Sequence, residues 1–108
     1  MIEITFFKRE NLLTGIKSQG HSGFKSKGHD IICAAVSVLM QSLYLGLTEI
    51  AKINLTENII NENTPIMLFK WNVQDCEKIF LLANTVYESL KIIASQNPGF
   101  IKILEVSS

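Results

Sequence analysis

The pattern of hydrophobic and polar positions predicts five strands. Segments in which apolar and polar residues alternate, and which are rich in β-branched and aromatic residues, are typical of strands. Such segments lie at residues 2–8, 12–18, 54–60, 65–71 and 100–106. The pair Glu10-Asn11 separates the first two segments, and the polar turn 61–64 joins the next two. A short polar connection favours antiparallel neighbours, so we expect the first two strands to form a hairpin.

Two other segments follow a helical pattern. The first, from residue 31 to about residue 52, is apolar on nearly every face, and Asp30 is predicted to cap its N-terminus. Because one small sheet cannot cover such a helix fully, we expect a second subunit to cover the rest. The second helix is predicted to start near Asp75 and to end at Asn97-Pro98-Gly99. Its apolar residues recur at the helical period: Ile79, Leu82, Ala83, Val86, Leu90 and Ile93.

The resulting order, ββαββαβ, predicts an α+β fold in which two helices cover a mixed or antiparallel sheet. A chain of 108 residues predicts one domain spanning residues 1–108. Its 47% hydrophobic content is enough for a packed core. Ten basic and ten acidic residues cancel, so direct nucleic-acid binding is not expected as the main activity.

Membrane insertion and export are also not expected. The longest uncharged apolar stretch, residues 31–47, is short for a membrane span and contains Gln41 and Ser42, so it is interpreted as a buried helix. The first residues show neither a basic lead nor a cleavage site of small residues. Two cysteines are too few for a disulfide framework and indicate free thiols in a reducing compartment, here the cytoplasm.

Candidate chemistry is concentrated within thirteen consecutive positions that contain His21, His29 and Cys33. Residues 20–29 include three glycines and two serines, which predicts a loop. If Asp30 caps the helix, Cys33 lies in the first turn, where unpaired N–H groups and the helix dipole stabilise a thiolate. The loop is long enough to bring His21 to the sulfur as a general acid. These are the components of a cysteine peptidase.

Each of these residues also has a structural interpretation. Cys33 precedes two alanines in an apolar helix and can be a small core residue. His21 can be an ordinary loop histidine, and His29 can bond backbone groups at the helix start or act as a second base. Cys76 also follows an aspartate at a helix start, but it has no histidine nearby, which favours a structural role. Ser37 lies on the same helix face as Cys33 and can either help fix the site or bond its own backbone.

The sequence also resembles a known family. Gly20-His21-Ser22, followed by Gly28-His29-Asp30-Ile31-Ile32-Cys33-Ala34-Ala35-Val36-Ser37, closely resembles the signature of the bacterial ribosomal-processing cysteine protease family Prp. The order of elements and the His-to-Cys spacing agree, and the resemblance covers essentially the whole chain. It implies that Cys33 is the nucleophile and His21 the catalytic histidine, with Asp30 in a supporting role at most.

The resemblance further implies a substrate and an assembly. Members of the family remove a short N-terminal extension from the large-subunit ribosomal protein L-twenty-seven during ribosome assembly, and they are homodimers. Ser37 and His29 are expected to support the site, and no metal or cofactor is expected. A flexible loop is expected to close over the substrate: Ser22, Gly23, Phe24, Lys25, Ser26, Lys27 and Gly28.

Two other functions stay open at this point. His21, His29 and Cys33, with Asp30 or water, offer the nitrogen, sulfur and oxygen ligands that zinc accepts, although their spacing follows no standard zinc pattern. A non-catalytic ribosome-assembly partner would instead hold its client without cutting it. Replacing Cys33 by serine separates such a partner from a peptidase, because only the peptidase would lose its activity.

Overall fold

The computed structural model describes residues 1–20 and 31–107 in full, and residues 27–30 in their backbone. Within these residues the strands are β1 (Ile2–Arg9), β2 (Leu12–Gln19), β3 (Leu55–Asn61), β4 (Ile66–Trp71) and β5 (Ile101–Ser107). The α-helices are α1 (Lys27–Leu45) and α2 (Phe80–Gln96). The predicted order ββαββαβ and the α+β class are confirmed.

The strands form one mixed sheet in the order β3-β4-β2-β1-β5. Neighbours are antiparallel except β1 and β5, which run parallel with Ile2 opposite Ile101. The hairpin between β1 and β2 turns at Glu10 and Asn11, whose φ angles of 52° and 69° suit the two-residue turns that match strand twist. β3 and β4 therefore form a hairpin at one edge of the sheet, and β5 forms the other edge.

Helix α1 begins earlier than the sequence predicts. Its first residue is Lys27, so Asp30 lies inside the helix and the prediction that Asp30 caps it is wrong. The same finding places Lys27 and Gly28 in the helix rather than in the predicted loop. The glycines and serines of this segment favour a loop by intrinsic propensity, which is only a weak predictor of where a helix begins.

The other end of α1 changes its winding. After Leu45 the chain continues as a π-helical turn, Gly46–Ile50, in which the Ala51 N–H donates to the Gly46 carbonyl at 2.8 Å. Lys52 then takes a φ of 56°, the left-handed conformation that commonly ends helices. The predicted end near residue 52 is therefore confirmed, although its last turn is not α-helical.

The inner face of α1 forms the centre of the core. Met40, Leu43 and Leu47 have no exposed surface, and the Tyr44 ring packs on the Phe69 ring at 5.1 Å. By length and composition alone, residues 31–50 could cross a membrane; in this fold the helix packs its inner face on the sheet and on α2. Its outer face leaves Ile31, Val38 and Leu45 exposed.

Helix α2 starts later than predicted. Residues Val73–Asp75 form a 3-10 turn, and Ile79, at φ −109° and ψ 13°, lies outside the helical region just before Phe80. The predicted apolar period is nevertheless confirmed. Four of the six predicted residues are buried: Ile79, Ala83, Val86 and Leu90. The other two, Leu82 and Ile93, are half-buried.

A polar cluster fixes α2 to the β1–β5 edge. The Lys8 ammonium donates to the Tyr87 hydroxyl at 2.9 Å, and that hydroxyl donates to a Glu105 carboxylate oxygen at 2.9 Å. The Lys8 and Glu105 side chains also form a salt bridge at 3.3 Å. With α2 held at this edge, α1 lies over the other half of the sheet, beside the β3–β4 hairpin.

Candidate active site

A groove of about 530 Å³ lies between α1 and the β3–β4 hairpin. One wall is α1, which contributes Cys33, Val36, Ser37, Gln41 and Tyr44. The other wall is the hairpin, which contributes Ile60, Asn61, Glu62, Pro65, Ile66, Met67 and Phe69. Ile2, Ser18 and Gly20 line it from β1 and β2. This volume lies within the range of small ligand sites, and the lining is largely apolar with a few polar groups.

The polar groups of the α1 wall form a row along the helix. Cys33, Ser37 and Gln41 are spaced four residues apart, so they share one face of the helix. The Gln41 side-chain amide donates a hydrogen bond to the Ser37 hydroxyl oxygen at 3.0 Å. Because that oxygen accepts from Gln41, the Ser37 hydroxyl proton is free to donate elsewhere.

The hairpin wall is held in position at its tip. The Asn61 side-chain oxygen accepts hydrogen bonds from the backbone N–H groups of Asn63 and Thr64 at 3.0 and 3.2 Å. This is the local turn that asparagine side chains favour. The Gly20 N–H donates to the Pro65 carbonyl at 3.0 Å, which ties the hairpin to the end of β2. The residue before His21 is therefore anchored at the groove.

The two thiols lie in very different surroundings. Cys33 is half-buried and lines the groove, whereas Cys76 is buried and belongs to the core. The Cys76 thiol donates to the Leu13 carbonyl at 3.3 Å, and the Trp71 indole N–H donates to the same oxygen at 2.9 Å. Burial raises the pKa of the Cys76 thiol above its usual range. A buried, neutral thiol is inert, so the predicted structural role of Cys76 agrees with its surroundings.

Comparison with protein families decides the class of activity. The family model described as cysteine protease Prp matches residues 1–102. The chain belongs to the Prp family. It is therefore a cysteine protease, and the resemblance inferred from the histidine and cysteine motifs is confirmed.

Solved structures with the Prp fold match almost the whole chain. SMU.848 from Streptococcus mutans is 26% identical with a TM-score of 0.85, and the match covers 100% of this chain and 96% of that one. The essential ribosomal processing protease Prp of S. aureus, solved with a substrate peptide, is 17% identical with a TM-score of 0.85, over 98% and 100% of the two chains. Its complex with a covalently linked product peptide is 19% identical with a TM-score of 0.83, over the same shares. No curated protein sequence matches the chain significantly.

Several predicted site residues lie outside what the structure describes. These are His21 and the loop residues Ser22, Gly23, Phe24, Lys25 and Ser26, together with the side chains of Lys27, His29 and Asp30. The roles assigned to them, and the zinc site built from the two histidines with Cys33, stay predictions. Among the described side chains, no group of three His, Cys, Asp or Glu residues has a metal-binding arrangement.

The early start of α1 corrects the electrostatic account of Cys33. The thiol lies six residues after Lys27, in the second turn rather than the first. Within the described helix, the N–H groups without an intrahelical partner are those of residues 27–29, about 6–9 Å along the axis from the Cys33 Cα. Helical side chains lean toward the N-terminus, so the sulfur lies nearer to those groups than its own Cα does. The helix dipole acts on this thiol at longer range than the sequence predicts.

Sequence reasoning missed most of the groove. Gln41, Tyr44 and Glu62 line it, yet none of them belongs to the motif around Cys33. Gln41 could have been found by extending the four-residue spacing of Cys33 and Ser37 along the helix, and Tyr44 by the three-residue spacing that follows it. Glu62 carried no signal, because its place at the groove depends on how the β3–β4 hairpin packs beside α1.

Proposed function

We propose that this Prp family member is an endopeptidase that removes the N-terminal extension of ribosomal protein L-twenty-seven during ribosome assembly. The observation that carries the proposal is the position of Cys33: this thiol lines the groove, while Cys76 is buried in the core. The S. aureus protein that shares this fold is a ribosomal processing protease. The apolar lining of the groove suits an extended apolar peptide segment.

In the proposed mechanism the Cys33 thiolate attacks the carbonyl carbon of the scissile peptide. Backbone N–H groups at the start of α1 stabilise the resulting oxyanion. The protonated imidazole of His21 gives its proton to the leaving nitrogen as the C–N bond breaks, which leaves a thioester on Cys33. Water then loses a proton to His21 and attacks the thioester, and the C–S bond breaks to restore the thiolate.

Ser37 is proposed to support this chemistry. Its hydroxyl oxygen accepts from Gln41, so its proton can be donated into the groove that Cys33 also lines. Asp30 and His29, on the turn that precedes Cys33, are proposed to orient His21 or the start of the helix. The loop 22–26 is proposed to close over the bound peptide and to bring His21 to the sulfur.

The test is cleavage of the L-twenty-seven precursor from the same bacterium. We expect the wild type and Cys76→Ser to release the N-terminal extension, and Cys33→Ser and His21→Ala to lose nearly all activity. Mass spectrometry of the products identifies the cut bond, and a thioester trapped on Cys33 would identify the nucleophile. Cleavage that survives Cys33→Ser would refute the assignment. A client that binds but is never cut would indicate a non-catalytic assembly partner.

We also propose that the protein acts as a homodimer. The outer face of α1 exposes Ile31, Val38 and Leu45 at 69%, 61% and 55%. These residues recur every seven positions, the spacing at which helices pair along an apolar seam. Light scattering should give a mass of two chains, and Val38→Glu should shift it to one. A monomeric wild type at micromolar concentration would contradict the proposal.

The cytoplasm is the proposed location. Both cysteines, Cys33 and Cys76, are free thiols, and neither forms a disulfide in the described part of the chain. Free thiols suit a reducing compartment, and ribosome assembly takes place there. Fractionation of the source cells, with the protein detected by antibody, should find it in the cytoplasmic fraction rather than in the membrane fraction.

A further inference from the structure

We infer that Glu62 selects substrates carrying a lysine or arginine close to the scissile bond; this rests on the proposed peptidase function. Among the described side chains that line the groove, Glu62 alone carries a charge at neutral pH. The other residues that line the groove are mostly apolar, so few other polar groups compete with the Glu62 carboxylate for a cation on the substrate. A substrate that places a cation at this rim gains a charge pair, and one that places an anion there is repelled.

The hydrogen bonds of the hairpin tip fix the backbone that carries the exposed Glu62 side chain. The preceding residue, Asn61, caps the turn by accepting from the N–H groups of Asn63 and Thr64. On the other side of the turn, Pro65 accepts from the N–H of Gly20. Both flanks of Glu62 are therefore held by hydrogen bonds, and its backbone is positioned before any ligand arrives. Preorganisation of this kind reduces the entropy lost on binding.

The hairpin tip that carries Glu62 is assigned to the end of the groove away from Tyr44. Tyr44 packs against Phe69 and marks the far end. Cys33 precedes Tyr44 by eleven residues, about 16 Å along the helix axis. On the facing wall, β4 begins at Ile66 opposite Gln19, so the hairpin tip lies next to the end of β2, where Gly20 also lines the groove.

A span of about 16 Å accommodates roughly five residues of extended peptide. The basic side chain is therefore assigned to one of the positions flanking the scissile bond, because Glu62 and Cys33 line the same groove. Apolar side chains of the substrate are assigned to the stretch toward Tyr44. Glu62 is exposed to solvent, so the charge preference is expected to be about three- to tenfold and to weaken at high salt.

The experiment compares peptides that differ in one charge. The probes are dye-labelled peptides covering the first twenty residues of the same bacterium's L-twenty-seven precursor. At each of the five positions flanking the cut bond, lysine, glutamine or glutamate is placed in turn. Binding is measured by fluorescence anisotropy with Cys33→Ala protein, which cannot cut, and kcat/KM is measured separately with active protein. Each set is repeated with Glu62→Gln and Glu62→Lys, and with Glu57→Gln as the matched control on the same hairpin outside the groove.

We expect a lysine-over-glutamate preference of about three- to tenfold in Kd at one position, lost in Glu62→Gln and reversed in Glu62→Lys. Glu57→Gln should leave it unchanged. Equal binding of the three peptides, absence of binding, or a preference that survives Glu62→Lys would overturn the inference. If active protein cuts none of the peptides while the Kd preference follows Glu62, the peptidase proposal falls and the charge site stands.

Discussion

Gln41 donates a hydrogen bond to the Ser37 hydroxyl at 3.0 Å, one helical turn beyond Cys33 on the wall of the groove. The accepted hydrogen bond limits the directions in which the serine can donate its own proton. Nothing in the sequence motif around Cys33 extends as far as Gln41. The two residues therefore act as a pair whose contribution can be measured.

We expect Ser37→Ala to lower kcat/KM about tenfold, since it removes a hydrogen bond worth about 1.4 kcal/mol. Gln41→Leu should lower it about threefold, because the serine keeps its hydroxyl but loses its orientation. The double variant should be no worse than Ser37→Ala. Steady-state kinetics on the L-twenty-seven precursor measures this double-mutant cycle. Additive effects of the two substitutions would contradict coupling between Ser37 and Gln41. Thermal melting controls for loss of folding.

The buried thiol of Cys76 predicts a loss of stability at alkaline pH. Burial raises its pKa in the folded protein. The unfolded thiol therefore loses its proton first, from about pH 8.5, and stability falls as the pH rises from there toward the higher folded pKa. Urea titrations between pH 7 and pH 10 should show this fall in the wild type and a flatter profile in Cys76→Ala. A fall of the same size in both would show that another group is responsible.

The same difference in burial predicts which thiol reacts. Iodoacetamide added to native protein should label Cys33, which lines the groove, well before Cys76, which is buried. Peptide mapping by mass spectrometry measures the order of labelling, and the loss of cleavage should follow Cys33 alone. In urea both thiols should react at similar rates. Early labelling of Cys76 in native protein would contradict the assignment of a closed core there.

The Lys8–Tyr87–Glu105 cluster predicts a small loss of stability in acid. Hydrogen bonds from Tyr87 and then from Lys8 lower the pKa of Glu105. Its contribution is therefore present above the unfolded pKa, about 4.3, and is lost as the pH falls through the lower folded pKa. Since the Glu105 side chain is 51% exposed, we expect less than about 1 kcal/mol. Tyr87→Phe should remove most of this acid dependence in urea titrations, whereas Glu88→Gln should leave it in place.

Gly20 is predicted to be indispensable for the geometry beside His21. Its φ of +109° is a conformation that residues with side chains rarely adopt, and an added Cβ would lie 2.6 Å from the Met1 carbonyl oxygen. Gly20→Ala should therefore destabilise the fold by about 1–3 kcal/mol and reduce cleavage. Gly99→Ala is the matched control, because Gly99 has a φ of +89° with no atom near the added Cβ. It should cost about 1 kcal/mol and leave cleavage unchanged.

The fold was largely predictable because its apolar pattern follows secondary structure. The spacing of Ile79, Ala83 and Leu90 predicts the buried face of α2, and those residues are buried. Element starts were less predictable. The glycines and serines before Asp30 favour a loop, yet α1 extends back to Lys27, because intrinsic propensity is only a weak predictor of where a helix begins.

The candidate site was predictable only in part, for a different physical reason. Cys33 and Ser37 are close in sequence, so helical spacing alone places them on one face. Glu62 and Gly20 reach the groove through contacts between distant segments, such as the Gly20–Pro65 hydrogen bond. A pattern read along the chain contains no information about such contacts, because they depend on the order of strands in the sheet.

The parallel pairing of β1 with β5 bears on how the protein emerges from the ribosome. Ile2 lies opposite Ile101, so one edge of β1 has no partner strand until nearly one hundred further residues have been synthesised. Its other neighbour, β2, is available within ten residues. Nascent chains should therefore hold an early hairpin with one uncovered edge, and contacts this distant in sequence form slowly. The protein would therefore depend on protection of this strand edge at the tunnel exit during its own synthesis.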